Sequence, residues 1–159
     1  MERIVEINRA PKWHGLAKVL GGAIAVSLAA VGQPAQPETT AVAGKVMTVC
    51  GSGHRYACVV DGDTLWLDGQ KIRLADINTP ETHGARCAEE RALGERATLR
   101  LVELINAGPF ELVSDGGRDR DRYGRKLRLL KRDGQSLGLV LVAEGLAHVW
   151  AGYRQDWCA

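Results

Sequence analysis

Short β-prone segments separated by tight turn signals dominate the chain from residue 57 to residue 77. The dipeptide Asp68-Gly69 is typical of a two-residue type I′ hairpin turn. Thr79-Pro80 ends the series, because proline cannot continue a strand ladder and restrains the residue before it. The pattern therefore predicts three strands that meander through close turns, at residues 58–60, 64–67 and 71–77.

A helical pattern follows these strands. From about residue 88 to residue 106 the apolar residues recur at helical spacing and charged residues occupy the other side: Leu93, Ala97, Leu101, Leu104 and Ile105 form the apolar face. Strands are predicted at residues 110–114 and 126–130, and Ser136 is suited to cap a helix over residues 137–144. The order β-β-β-α-β-β-α predicts a mainly β protein of the α+β class. It is compatible with a five-stranded OB-type barrel with two packed helices.

The first 43 residues differ in composition from the rest. Basic residues precede an uncharged apolar run over residues 19–31, and a Pro/Gln/Thr-rich stretch follows. This order is typical of a secretory signal, and the triplets at 30–32 and 41–43 both fit its cleavage pattern. Alternatively, residues 16–32 are retained as a membrane tether. Both readings place the domain, predicted at residues 44–159, outside the cytoplasm, where it is secreted or periplasmic.

All four cysteines, Cys50, Cys58, Cys87 and Cys158, lie in that domain. An even number in an exported domain favours disulfides, and the absence of a Cys-x-x-Cys pair argues against structural zinc. Four cysteines allow three pairings. One of them joins Cys50 to Cys58 across a turn and leaves Cys87 with Cys158; buried thiols that never pair are the alternative.

The overall charge excludes a protein that coats nucleic acid by bulk electrostatics. The 21 Lys and Arg residues oppose 19 Asp and Glu residues, for a formal net charge of +2. Residues 118–132, however, hold eight basic residues against two Asp. This local patch suits a groove that follows a phosphate backbone, and a solvated basic hairpin is the alternative.

Two further clusters carry side chains suited to catalysis. The sequence Asp61-Gly62-Asp63-Thr64 puts two carboxylates on a tight backbone, which suits Ca²⁺ or Mg²⁺ as well as a solvated turn. Arg73 lies in an otherwise aliphatic strand, where its planar guanidinium matches a phosphate unless it only covers the sheet surface. Glu81, just beyond a rigid Thr-Pro, is suited to act as a general base on water, or to lie as an acid at a helix start.

Three motifs together, VVDGDTLWL, KIRLADINTPET and DRDRYGRKL, resemble the staphylococcal-nuclease-like (thermonuclease) family in content and order. The resemblance covers roughly residues 59–153. It implies a five-stranded OB barrel with packed helices. It also implies a Ca²⁺-dependent phosphodiesterase that cuts DNA and RNA and leaves 3′-phosphates.

The resemblance further implies a calcium site. Asp63 corresponds to the main calcium carboxylate, and the carbonyl of Thr79 to another ligand. Asn78 stands where the family usually has a second aspartate, so one negative charge is absent and calcium affinity should be lower. Asp76, two residues earlier, would reach the site only if the loop shifted.

Catalytic and substrate residues are implied in the same way. Arg73 and Arg125 correspond to the two arginines that hold the scissile phosphate, and Glu81 to the family's proposed general base. The residues that line the implied substrate site are Asp121, Tyr123 and Tyr153, while Ala151 replaces one base-stacking tyrosine. We therefore expect an exported, monomeric Ca²⁺-dependent nuclease acting on DNA, RNA or both. The alternative is a non-catalytic OB module that binds single-stranded nucleic acid or a protein partner.

Overall fold

The computed structural model describes residues 37–158. This part of the chain forms ten strands and two helices: β1 (Thr39–Val42), β2 (Thr48–Val49), β3 (Cys58–Asp61), β4 (Thr64–Leu67), β5 (Gln70–Leu74), β6 (Ile77–Asn78), α1 (Ala88–Asn106), β7 (Phe110–Val113), β8 (Lys126–Arg132), β9 (Gln135–Ser136), α2 (Leu137–Ala143) and β10 (His148–Val149). The apolar run of the predicted signal (residues 19–31) and the alternative tether at residues 16–32 lie outside the described residues, whereas residues 37–43 of the predicted N-terminal segment lie within them. Within residues 37–158, neither helix has the length and apolar character needed to cross a membrane.

The main sheet has the strand order β1-β7-β8-β5-β4-β3-β2, with β9 paired to β8. Its five central strands are the five predicted from the sequence. Strands β3, β4 and β5 form an antiparallel meander, and β5 then pairs in parallel with β8. The sheet curls into a half-barrel of the OB type, which confirms the predicted fold. Strands β1 and β2 pair with the outer edges of β7 and β3, so they form the two ends of this strand order.

The hairpin between β4 and β5 has the predicted turn. Asp68 (φ 51°) and Gly69 (φ 75°) both adopt positive φ, as a type I′ turn requires. Asp133 and Gly134 form an equivalent turn between β8 and β9. The predicted strand over residues 71–77 is interrupted after Leu74, since Asp76 turns towards the start of α2.

Helix α1 has the predicted bounds and packs the predicted face against the sheet. Cys87 caps its N-terminus, with Sγ accepting a hydrogen bond from the Glu90 amide at 3.4 Å. Ala97, Leu101 and Ile105 are fully buried. The second predicted helix is also present, and Ser136 caps it through its hydroxyl as expected.

One hydrophobic core lies between the curled sheet and the helices. It draws from every central strand and from both helices: Val59, Leu65, Ile72, Leu74, Leu101, Leu130 and Leu141 are fully buried within it. Burying each Leu or Ile side chain contributes about 1.5–3 kcal/mol, so this cluster supplies much of the driving force for folding.

The sheet begins upstream of the boundary predicted at residue 44. Strand β1 pairs with β7 along all four of its residues, and Val42 is buried in the core. Glu38 accepts a 2.7 Å hydrogen bond from the buried Arg128. Residues 39–42 are polar or small, so local composition resembles a linker. Their pairing depends on an edge that β7 provides far along the chain.

The structure joins Cys50 to Cys58 and Cys87 to Cys158. The first disulfide connects the segment after β2 to β3. The second connects the cap of α1 to the end of the chain. Cys87, Glu90 and Cys158 lie close enough to resemble a metal site, but both sulfurs are consumed in the disulfide.

Candidate active site

The junction between β3 and β4 is held tightly against α1. A Cβ atom on Gly62 would lie 2.7 Å from the Cβ of Ala97 and 2.8 Å from Cγ2 of Thr79. The Asp61 carboxylate accepts a hydrogen bond from the Asp63 amide at 3.1 Å, which closes the turn. The Asp-Gly-Asp sequence is therefore a packed turn rather than a solvated one, and it fixes the position of Asp63.

Asp63 is the carboxylate on which the surrounding residues converge. It is buried, and its Oδ2 accepts a hydrogen bond from the Thr79 amide at 3.0 Å while lying 3.1 Å from Nη2 of Arg73. Its Oδ1 accepts a hydrogen bond from the Thr64 hydroxyl at 2.9 Å. A buried carboxylate needs such partners, so Asp63 organises the strand ends on both sides of it.

Arg73 lies on β5 directly opposite Thr64 of β4. Its side chain is buried, and Nη1 donates to the carbonyl of Leu74 at 2.5 Å. The guanidinium also lies over the indole of Trp150, with Cζ 5.7 Å from the ring centroid. The geometry fixes the planar cation at the strand end, where it is available to a phosphate.

Arg125, immediately before β8, reaches the same place from the neighbouring strand. Its Nη1 donates to the Thr64 hydroxyl at 3.3 Å and its Nε to Oδ2 of Asp121 at 2.7 Å. Partial burial acts to raise the pKa of Asp121, but hydrogen bonds from Arg125 and the Tyr123 amide hold that pKa below its ordinary value. Thr64 thus connects Asp63 to Arg125, and Asp121 fixes the guanidinium.

Asp61 lies beside Asp63 and carries a strongly altered acidity. Burial, followed by the negative charge of Asp63, raises the pKa of Asp61 to about 7, and Glu81 contributes in the same direction. The negatively charged carboxylates of Asp63 and Glu81 therefore lie near Asp61 at this junction. Such a cluster favours a bound cation, which would stabilise the ionised form of Asp61.

Thr79 contacts Asp63 of the β3–β4 junction, and Asn78 is the residue before it, whereas the Asp76 side chain is directed elsewhere. Asn78 is buried on β6, and Thr79 reaches Asp63 through its amide. The carboxylate of Asp76 instead accepts a 2.5 Å hydrogen bond from Ser136 at the start of α2. Asp76 therefore does not replace the aspartate that is absent at position 78.

Glu81 is positioned by backbone contacts with α1 and by an ion pair between its carboxylate and Arg154. Its amide donates to the buried Glu90 at 3.4 Å, and a Cβ on Gly94 would lie 2.8 Å from the Pro80 carbonyl oxygen and 3.0 Å from that of Glu81. The Glu81 Oε1 lies 2.8 Å from Nη1 of Arg154, with about a third of the side chain exposed. The loop is pressed onto α1 while the carboxylate stays accessible.

Most of the predicted phosphate, substrate and metal residues line two cavities, whereas Asp63 lines neither of them. A cavity of about 640 Å³ is bounded by the predicted phosphate and substrate residues: Arg73, Arg125, Asp121, Tyr123 and Tyr153. A second cavity, of about 490 Å³, is bounded by Asn78, Thr79 and Glu81. Arg154 lines both cavities.

Comparison with known proteins identifies the family. Residues 71–157, over half of the chain, match the sequence profile described as staphylococcal nuclease homologue. The chain belongs to the staphylococcal nuclease family.

Several curated relatives are similar over the same part. Endonuclease YncB of Bacillus subtilis is 39% identical over 101 residues, which is 61% of this chain and 47% of the relative. The SPbeta prophage-derived endonuclease YokF of that organism is also 39% identical over 101 residues, 61% of this chain and 34% of the relative. An uncharacterized endonuclease of Haemophilus influenzae is 29% identical over 120 residues, 70% and 61% of the two chains. The chain spans less than half the length of the two Bacillus relatives.

The staphylococcal nuclease family is generally Ca²⁺-dependent, and the donors of this chain suit that ion. Calcium prefers several oxygen ligands in a flexible arrangement. The carboxylates of Asp63 and Asp61, the Asn78 amide oxygen and the Thr79 carbonyl would hold it. The chemistry of the donor set supports this fit, because the Asp61 and Asp63 carboxylates share one tight turn and the Asp63 carboxylate contacts the Thr79 amide.

Some residues of this candidate site were not predicted from the sequence. Asp61 and Thr64 belong to the Asp-Gly-Asp-Thr motif, so the signal was present although only Asp63 was selected. Trp150 and Arg154 had no local signal, because their partners are distant in sequence.

The basic segment at residues 118–132 also divides in the structure. Arg128 is buried against Glu38 and Asp119, and Arg132 donates to backbone carbonyls at the end of α1. Arg118, Arg122 and Arg125 line the larger cavity. The segment therefore serves both the fold and the cavity wall.

Proposed function

We propose that the chain is an exported Ca²⁺-dependent nuclease that hydrolyses phosphodiester bonds of DNA, RNA or both. The convergence on Asp63 carries this proposal: Arg73 contacts it directly, and Arg125 is connected to it through Thr64. The names of the Bacillus relatives, which are endonucleases, support the same reaction class.

Arg73 and Arg125 would bind the non-bridging oxygens of the scissile phosphate. Each guanidinium is held by a carboxylate, Asp63 or Asp121, and so needs little rearrangement when substrate enters. Negative charge grows on the phosphate oxygens as water attacks. Fixed cations stabilise that transition state more than the ground state, and one such group is typically worth about 100-fold or more in rate.

Glu81 would accept a proton from the attacking water at a carboxylate oxygen while the water oxygen bonds to phosphorus. The bond from phosphorus to the leaving sugar oxygen breaks, and that oxygen takes a proton from solvent water. Glu81 has the accessibility this role needs, because about a third of its side chain is exposed in the smaller cavity. A calcium ion held by the adjacent oxygen donors would supply Lewis-acid stabilisation of phosphate charge.

The larger cavity would accept the nucleoside. Tyr123 and Tyr153 are about two-thirds exposed there, and exposed aromatic rings provide stacking surfaces for bases. Arg118 and Arg122, which are exposed in this wall, would contact neighbouring phosphates, so affinity should fall steeply with salt.

Export is supported by the N-terminal sequence pattern and by two disulfides that tie the domain together. Retention through residues 16–32 would leave the same domain facing away from the cytoplasm. We propose a monomer, since one chain supplies the whole site.

The decisive experiment incubates the purified chain with single-stranded DNA, duplex DNA and RNA, in millimolar Ca²⁺ or in chelator. We expect calcium-dependent cutting that falls at least 100-fold in Glu81→Gln. Glu111→Gln, an exposed glutamate on β7, is the matched control and should cut normally. Binding without cutting by the unaltered chain would instead favour the non-catalytic OB module. That alternative is considered because Asn78 lacks the negative charge of the aspartate that the family usually has there.

A further inference from the structure

We propose that Arg154 is a positioning residue for Glu81, and that the Cys87–Cys158 disulfide keeps it in place. This inference rests on the proposed function, because it assigns Glu81 as the proton acceptor. It adds a residue and a covalent tie that lie outside the three motifs.

The contact itself is specific. Nη1 of Arg154 lies 2.8 Å from Oε1 of Glu81, and among residues 37–158 this is the ion pair that the Glu81 carboxylate makes. Occupation of one carboxylate oxygen leaves the other to face water. The arginine therefore selects one orientation of a side chain that would otherwise rotate freely at the surface.

Both ends of this ion pair are tied to the same disulfide. Cys87 lies six residues after Glu81, and Cys158 lies four residues after Arg154. The Glu81 end is already fixed on α1 through Glu90 and Gly94. The disulfide thus fastens the arginine-bearing segment to the helix that carries the glutamate loop.

Two further contacts hold the segment in register. Arg86 donates to the Asp156 carboxylate at 2.7 Å. The Trp157 indole stacks on the His148 ring with the centroids 4.2 Å apart. The Arg86–Asp156 pair is exposed and therefore weak, and the Trp157–His148 stack is one ring contact, so the covalent bond is the principal restraint on residues 151–158.

The consequence is a proton acceptor whose orientation depends on a disulfide. Without the tie, Arg154 is held only by β10 before it and by the contacts of Asp156 and Trp157 after it, so Glu81 loses its fixed geometry relative to the arginine pair. Misorientation of a general base lowers the rate of the chemical step more than it lowers substrate binding. The full rate would then require an oxidising compartment.

The first test measures kcat and KM on a single-stranded oligonucleotide in Ca²⁺. Arg154→Ala should lower kcat about tenfold and change KM less than twofold, and Arg154→Lys should recover most of the loss. An unchanged kcat in Arg154→Ala, or a change confined to KM, overturns the proposal.

The second test asks whether the disulfide acts through Arg154. Replacement of Cys87 and Cys158 by Ser should lower kcat about tenfold in the unaltered chain and have no further effect in Arg154→Ala. The matched control replaces Cys50 and Cys58 by Ser and should keep kcat within twofold at a temperature where it is folded. Equal, additive losses in both backgrounds would mean that the disulfide only supports the fold.

The third measurement is independent of cutting and so separates this inference from the proposed function. The ¹³C resonance of the Glu81 carboxyl, assigned through Glu81→Gln, should shift in Arg154→Ala and shift alike in the Cys87/Cys158 double variant. If the resonance shifts neither in Arg154→Ala nor in the Cys87/Cys158 double variant, the inference is overturned, even if the chain is an active nuclease. A shift in a chain that cuts nothing supports the pairing while the proposed function fails.

Discussion

At the scale of single residues, Gly94 allows the loop that carries Glu81 to pack directly against α1, because it has no side chain. Gly94 lies in the middle of α1, where alanine would ordinarily stabilise a helix by up to about 1 kcal/mol. Here the added Cβ would meet the backbone oxygens of Pro80 and Glu81 at 2.8 and 3.0 Å. We expect Gly94→Ala to lower the free energy of unfolding by about 1–2 kcal/mol and to reduce nuclease activity, because the loop must move.

Chemical denaturation and a cutting assay check this prediction together. Gly53→Ala is the control, since its Cβ would meet open space. This variant should leave both the free energy of unfolding and the nuclease activity unchanged. A more stable and fully active Gly94→Ala variant would show that helix propensity outweighs the contact with the loop.

The second residue-scale prediction concerns the charge missing at Asn78. Asn78→Asp adds a buried carboxylate one residue before Thr79, whose amide contacts Asp63, so we expect the calcium concentration for half-maximal activity to fall about tenfold. In chelator the same variant should melt at a lower temperature, because like charges are brought together.

Calcium titrations of activity and of melting temperature measure both effects. Asp63→Asn is the opposing control and should require more calcium. An unchanged calcium midpoint in Asn78→Asp would place the ion away from position 78.

At the scale of elements, the two disulfides should differ in their contributions to stability. They close loops with sequence separations of 8 and 71 residues. Chain-entropy estimates give losses of about 2.5 kcal/mol for the Cys50/Cys58 double serine variant and about 4 kcal/mol for the Cys87/Cys158 variant. Serine at position 87 can still cap α1, so the comparison isolates the crosslink.

Denaturant unfolding of the two double variants, side by side, tests this order. The same extent of destabilisation in both, or a larger loss for the short loop, would contradict it.

The long elements were predictable because their signals are local. The α1 boundaries follow from an apolar stripe, and the β4–β5 hairpin from Asp68-Gly69, whose positive φ values only a few residue types accept readily. The two-residue strands β2, β9 and β10 were not predicted, and β6 shares only Ile77 with the strand predicted over residues 71–77. Each is defined by its partner rather than by its own composition.

At the scale of the whole molecule, the N-terminal strand completes the domain. A chain that begins at residue 44 lacks β1, loses the buried side chain of Val42 and removes Glu38 from Arg128. We expect it to unfold at least about 2 kcal/mol more easily than a chain that begins at residue 33.

Thermal unfolding of the two chains measures the difference, and equal midpoints would show that β1 contributes nothing. The same geometry bears on processing under the proposed export. Cleavage after Ala43 would cut away β1, whereas cleavage after Gly32 would leave it in the sheet.

The sequence by itself determined the order of the five central strands and the two helices, the hairpin turn, the Ser136 cap of α2 and the family, because each depends on neighbouring residues or on motifs with fixed spacing. Only the tertiary structure decided that Asp76 turns to Ser136, that Arg128 is structural and that Arg154 pairs with Glu81. Those outcomes depend on which distant groups share a small volume. Partners separated by tens of residues meet only after the sheet has curled and the chain end is tied to α1.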